Sequence, residues 1–336
     1  MLASKVYFVF CSVFVISIVA FFVLMADRKL INEPSIFRRE KARKLNELEL
    51  NVLNSGFKKH TVEERMTPFK IYSEANRKLV FYNRMPKCGS RTMLTLFQKR
   101  NHVFELTETD IFDERQLNEK ELYEYVHSFK KSSKKQLRER HLHFVNFERY
   151  GLKQPIYINL IREPFEQALS RYYYHFERGL VKKQLKGRKI QTFEECVVNN
   201  LNSSLPIKGC VFSSREYVLW FCGHDEACSY MDYGLAKAKR NIEKYYMLIG
   251  LTEEYAETLQ ALELMLPSYF KGMGKIDTNA TKKHKIPSSK KIRPSEKIIQ
   301  LIKIRLGYNY EIYNFVKQKF HITLKSLGIY YTKNSI

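Results

Sequence analysis

The 336 residues carry 58 Lys and Arg against 35 Asp and Glu, a formal charge of +23, with 44% hydrophobic and 14% aromatic content. That apolar content excludes a disordered polyelectrolyte and allows one substantial core, most simply a single large α/β domain. The cation surplus points to a polyanionic partner, whether nucleic acid, an anionic membrane surface or an acidic polysaccharide, and composition does not choose among them.

In chain order, residues 1–5 form a short tail. Val6 to Met25 is an uncharged apolar run long enough to cross a bilayer as a helix. A cleaved secretory signal has a shorter apolar region and a small-residue cleavage site, so the run is expected to be an uncleaved signal-anchor. The flanking charges vote the other way. Lys5 precedes the run, while Arg28, Lys29, Arg38 and Arg39 follow it, which would leave the rest of the chain cytosolic. Residues 26–77 are polar and charged and read as a stem. Within it Leu45, Leu48 and Val52 sit at a/d-like spacing that suits either a self-associating helix or a solvated one.

The globular domain is expected over residues 78–336. Lys78 to Asn83 is a strand candidate running into a turn-like loop, Arg84 to Ser90, and then a helix over Arg91 to Lys99. Pro155 to Ile161 is mostly apolar and β-branched, the pattern of a parallel strand buried on both faces. It feeds a helix over Phe165 to Phe176. Tyr245 to Leu251 is a third strand, followed by a helix over Glu253 to Leu266. Strands alternating with helices imply βαβ units and a central parallel sheet flanked by helices. Lys282 to Arg293 is basic and irregular, and Ile298 to Phe320 predicts one or two covering helices.

Cys196, Cys210, Cys222 and Cys228 fall in one short stretch, as disulfides of an oxidising lumen would. Of the three possible pairings, Cys196–Cys210 and Cys222–Cys228 close the shortest loops and are the expected ones. Sequons at Asn202 and Asn279 are compatible with the secretory pathway. Together they outweigh the flanking charges and predict a lumenal domain. The spacing of cysteines and histidines gives no metal site.

Two strand–loop–helix pieces carry chemistry. In the first, Arg84-x-Pro-Lys87-x-Gly89-Ser90-Arg91-Thr92, backbone N–H groups and the helix N-terminus form an anion cradle. Lys87 adds a mobile charge, and Ser90 and Thr92 add hydroxyl donors. The loop has one glycine, and the lysine precedes it, so it is not the G-x-x-x-x-G-K-[ST] loop of nucleoside triphosphatases. In the second, Arg162 ends a buried strand, where open α/β sheets bind ligands. Ser170 lies in the following helix. An Arg and a Ser suit a phosphate monoester, although Arg162 could equally form an ion pair with Glu163 or Glu166.

Together these pieces resemble the donor-binding elements of sulfotransferases, one for the 5′-phosphosulfate and one for the 3′-phosphate of PAPS (3′-phosphoadenosine 5′-phosphosulfate). The stretches VFYNRMPKCGSRT, RHLHFVNFERYG, QPIYINLIREPFEQALSRYYY, FEECV, FCGHDEAC and LIGLTEEYAETLQALELMLPSYFKG run in order over residues 80–272. They are similar to the hexuronic 2-O-sulfotransferases, with KCGSRT and HLHFVNF nearer the uronyl and Pipe-like branch than the heparan sulfate branch. The resemblance implies a sulfotransferase α/β fold, PAPS as donor, no metal, and a Golgi membrane protein of type II acting on an acidic glycan. It assigns Lys87 to the 5′-phosphosulfate with Arg84, Gly89, Ser90, Arg91 and Thr92 around it, and Arg162 and Ser170 to the 3′-phosphate. His141 takes the place of the catalytic base, which must remove a proton from a sugar hydroxyl. His143 would share its face in an extended segment, so the residues alone leave both open.

Thr281, Lys282 and Lys283 resemble a loop that closes over the 3′-phosphate. Arg178, Lys182, Lys183, Lys186, Arg188 and Lys189 form a second basic cluster expected either to grip the glycan or to be a solvated loop. The family includes trimers, which the stem would permit. Two other functions compete: a catalytically weak glycan-binding relative, and a nucleic-acid-binding protein, which the apolar run and the cysteines oppose.

Overall fold

The structure, a computed structural model, describes residues 66–100, 102–107, 116–129, 133–179, 192–201, 212–276 and 291–329. The apolar run, the stem up to Arg65, Lys182, Lys183, Lys186, Arg188, Lys189, Thr281, Lys282, Lys283, Cys210, Asn202 and Asn279 lie outside the described residues. Among the described residues no helix is long and apolar enough to cross a membrane.

Five parallel strands make one sheet: β1 (Asn76–Tyr82), β2 (Glu105–Thr107), β3 (Gln136–Glu139), β4 (Pro155–Ile161) and β5 (Tyr246–Leu251), in the order β2-β3-β1-β4-β5. Helices α1 (Ser90–Gln98), α2 (Glu119–His127), α3 (Pro164–Glu177), α4 (Phe193–Leu201), α5 (Glu216–Cys222), α6 (Met231–Tyr245), α7 (Tyr255–Met265), α8 (Pro267–Phe270), α9 (Glu296–Arg305) and α10 (Gly307–Ser326) complete the described elements. All seven residues of β4 are buried, as its apolar sequence requires of a central strand. The expected strands over Lys78–Asn83 and Tyr245–Leu251 are β1 and β5, and Ile298 to Phe320 resolves into two helices, α9 and α10.

The chain leaves β1 toward β2 and β3, then crosses to β4 and β5 on the other side. The order therefore reverses at β1, and a crevice opens at the carboxyl ends of β1 and β4, where such sheets bind ligands. Gly250 in β5 lets α7 approach closely, since a Cβ there would stand 2.1 Å from Thr258 Cγ2.

The folded unit already includes Met66 to Arg77. Phe69 is buried, its N–H donating to Thr323 Oγ1 at 2.7 Å, and Lys319 Nζ donates to the Thr67 carbonyl at 2.8 Å. Cys222 and Cys228 form a disulfide, tying α5 to the turn that follows it. Cys196 is also disulfide-bonded.

Candidate active site

Beneath the crevice lies a buried amide hub. Asn159 Nδ2 on β4 donates to Asn83 O at 2.8 Å and to Asn83 Oδ1 at 3.1 Å. Trp220 Nε1 donates to Asn83 O at 2.9 Å, and the Tyr246 hydroxyl donates to Asn83 Oδ1 at 3.1 Å. Asn83 Nδ2 in turn donates to the Leu142 carbonyl at 3.3 Å. One residue past β1 thus fixes β4, β5, α5 and the segment carrying His141 relative to one another.

The loop after β1 has its carbonyls held from behind. Gln167 Nε2 donates to Pro86 O at 3.1 Å, and Thr252 Oγ1 lies 2.9 Å from the carbonyls of both Cys88 and Ile161, sharing its proton between them. Lys87 has φ 64 and Gly89 φ 80, so two left-handed residues bend the chain sharply into α1. Gly89 caps α1 without a side-chain hydrogen bond. The Thr92 N–H donates to the Gly89 carbonyl at 3.1 Å, which leaves the N–H groups of Ser90 and Arg91 at the positive helix end toward the crevice. A larger residue at Gly89 would combine that positive φ with contacts at 3.4 Å to Leu160 and Tyr255.

Lys87 is partly buried, and its ammonium lies over the Tyr174 ring, 3.7 Å from the centroid. Burial, and then the positive charges of Lys291, Arg91, Arg162 and Arg171, push its pKa down to about 7. Cations from several chain segments converge here, a setting that favours an anionic ligand. Arg162 meets Glu166 at 3.2 Å, so the ion pair foreseen as an alternative does form, yet its Nε is buried with no hydrogen-bond partner. The Tyr217 hydroxyl donates to the Arg162 carbonyl at 2.6 Å, fixing the backbone beneath it. Ser170 is buried one helical turn beyond Glu166, on the face that meets Arg162. An uncapped helix end, an orphaned guanidinium nitrogen and a buried hydroxyl together fit a ligand with two separate phosphate groups.

His141 follows β3. Its Nδ1 is 2.8 Å from the Arg84 carbonyl, and because a carbonyl oxygen only accepts, Nδ1 carries the proton and Nε2 is the basic nitrogen. Arg84 itself is buried and paired with Glu139. Burial, followed by the Arg84 guanidinium, pushes the His141 pKa down to about 3, with Arg171 and Lys87 adding to the effect. The imidazole is thus neutral at any physiological pH. His143 goes elsewhere: it is 4% exposed, with its ring 5.1 Å from that of Trp220 and 5.4 Å from that of His224. His141 and His143, which the residues alone left open, therefore occupy different surroundings, with His143 packed into the core.

Arg178 is exposed at the end of α3 and lies 4.5 Å from the same Tyr174 ring as Lys87. The sequence did not single out Arg171, Tyr174, Lys291 or Arg293. Arg171 pairs with Glu216, and Arg293 Nη1 is 2.5 Å from Glu166, which also holds Arg162. A signal existed for Tyr174, which stands four residues after Ser170 on a helix and so shares its side. Among the described residues no group of three or more His, Cys, Asp or Glu side chains is placed to hold a metal ion.

Residues 72–316 match the sulfotransferase family. Over 266 residues the chain is 32% identical to a uronyl 2-sulfotransferase of Homo sapiens, covering 74% of this chain and 64% of that protein. The chain therefore spans just under two thirds of the length of that relative. It is 31% identical over 267 residues to a heparin sulfate O-sulfotransferase of Drosophila melanogaster, covering 74% of each. A solved sulfotransferase from Alicyclobacillus acidocaldarius overlaps at TM-score 0.36 and 11% identity, covering 73% of this chain and 94% of that one, too loosely to bear on the site.

Proposed function

The chain belongs to the sulfotransferase family, and from that premise we propose that it transfers a sulfuryl group from PAPS to the 2-hydroxyl of a hexuronic acid in a glycosaminoglycan. The observation that carries the proposal is the His141–Arg84 hydrogen bond at 2.8 Å, which ties a neutral base to the loop bearing Lys87. The uronyl name of a relative at 32% identity supports the acceptor.

In this mechanism Arg162 and Ser170 hold the 3′-phosphate, and the loop N–H groups with Lys87 hold the 5′-phosphosulfate. His141 Nε2 takes the proton of the acceptor hydroxyl as its oxygen bonds to sulfur. The bond from sulfur to the bridging oxygen breaks, and its electron pair stays on the 5′-phosphate, where Lys87 stabilises the growing charge. The products are the sulfate ester and adenosine 3′,5′-bisphosphate (PAP), and the proton leaves from His141 to solvent. Arg84, Arg171 and Lys87, which depress the basicity of His141, are cations that a bound phosphosulfate would offset. The base therefore strengthens once the donor is in place.

The setting proposed is the Golgi membrane, with the catalytic domain in the lumen and the chain free to self-associate through its stem. The Cys222–Cys228 disulfide supports an oxidising compartment. The reaction is tested by incubating the purified full chain with labelled PAPS and a panel of desulfated glycosaminoglycans. The expected product carries label at the uronic acid 2-position on disaccharide analysis. No label on any acceptor, together with no binding of PAP, would overturn the enzyme in favour of a glycan-binding relative.

A further inference from the structure

Helix α3 carries a row of side chains four residues apart: Glu166, Ser170 and Tyr174, continued by Arg178 at its C-cap. On a helix rising ~1.5 Å per residue the row spans ~18 Å. Its first end holds Arg162 through Glu166. At its other end one aromatic ring carries two cations, with Lys87 Nζ 3.7 Å and Arg178 Cζ 4.5 Å from the Tyr174 centroid. Both distances fall within reach of the ring quadrupole. The two cations come from opposite duties. Lys87 leaves the donor loop from a left-handed backbone, and Arg178 stands exposed where α3 ends. Nothing in the transfer chemistry itself calls for Tyr174, so its seat between them needs a reason.

We infer that Tyr174 is a positioning residue that couples the two halves of the site, seating the donor-side ammonium of Lys87 and the acceptor-side guanidinium of Arg178 on one ring. The inference rests on the sulfotransferase reading for which ligand belongs to which cation. A carboxylate or sulfate ester of the acceptor that engages Arg178 draws it from the ring. That leaves the electron-rich face to Lys87 and removes a competing positive charge. Lys87 is then held more firmly in its charged form at the moment the leaving phosphate needs it. The other groups facing Lys87 are Lys291, Arg91, Arg162, Arg171 and His175, all cationic or titrating to cations, so none can substitute for the ring.

Two readouts test this. In the first, the full chain without donor or acceptor is pulse-labelled with acetic anhydride across pH, and acylation of Lys87 is followed by mass spectrometry. Only the neutral amine reacts, so the midpoint reports Lys87 directly. It should lie near 7 in the wild type and in Tyr174→Phe, and fall by about half to one pH unit in Tyr174→Leu, where the ring is lost. In the second, Tyr174→Leu and Arg178→Ala should each lower kcat/KM for the acceptor about tenfold, and the double variant should lose no more than either alone. Tyr174→Phe should stay within about twofold of wild type. An unchanged midpoint in Tyr174→Leu, or additive losses in the double variant, would overturn the coupling. If the wild type transfers no sulfate, that result counts against the enzyme alone, and the labelling midpoint still decides the seat of Lys87.

Discussion

Lys87 combines two unfavourable conditions, a left-handed backbone at a non-glycine residue and an ammonium kept from solvent among like charges. Neither helps the domain fold, and both suit a residue that waits for an anion. Lys87→Gly should therefore abolish transfer and yet raise stability by about 1 kcal/mol, read from urea denaturation of the ligand-free protein. Equal or lower stability would mean that the loop is not strained. The pH dependence follows from the same two residues. His141 must be neutral, which holds above about 3, and Lys87 must be charged, which holds below about 7. The kcat/KM for PAPS, which reports the free enzyme, should be flat through mildly acidic pH and fall about tenfold per unit above the Lys87 value. Lys87→Arg should lack that alkaline limb, however slow it is, because a guanidinium does not titrate there. A limb that persists in Lys87→Arg would assign it to another group.

At the scale of elements, what the sequence declared depended on how each segment is buried. Pro155 to Ile161 could be recognised because all seven positions are covered, leaving an unbroken apolar run. β3 could not, since Gln136 and Glu139 are buried polar residues in a four-residue strand, each satisfied by a partner distant in sequence. Arg162 and the loop after β1 stood out in the sequence because anion binding would dictate residue types locally. The different surroundings of His141 and His143 did not, because His143 packs on Trp220, a residue brought in by α5. The Asn83 hub was invisible for the same reason. Its partners come from β4, β5 and α5. Asn83→Leu keeps the carbonyl that accepts from Trp220 but removes the Oδ1 that accepts from Asn159 and Tyr246 and the Nδ2 that donates to the Leu142 carbonyl. It should cost about 3 kcal/mol in urea denaturation and lower kcat by displacing His141. A loss below about 1 kcal/mol would show that the hub is dispensable.

For the whole molecule, part of the basic surplus gathers at one place among the described residues. Lys87, Arg91, Arg162, Arg171 and Lys291 converge at the carboxyl ends of the parallel strands, while Arg178 extends the same sign along α3. The Cys222–Cys228 bridge closes a short loop of sequence separation 6, at the end of the helix that supplies Trp220. Replacing both cysteines by serine should destabilise the domain by about 2 kcal/mol while leaving PAP affinity within about twofold, because the bridge braces the fold away from the donor loop. Unchanged stability would contradict that role. The most direct test compares labelled sulfate transfer by the wild type and His141→Ala at matched PAPS saturation, with disaccharide analysis of the product. Label is expected at the uronic acid 2-position in the wild type. In His141→Ala the rate should be at least about a hundredfold lower with PAP affinity intact. Transfer that survives in His141→Ala, or label confined to amino-sugar hydroxyls, would contradict the proposed reaction.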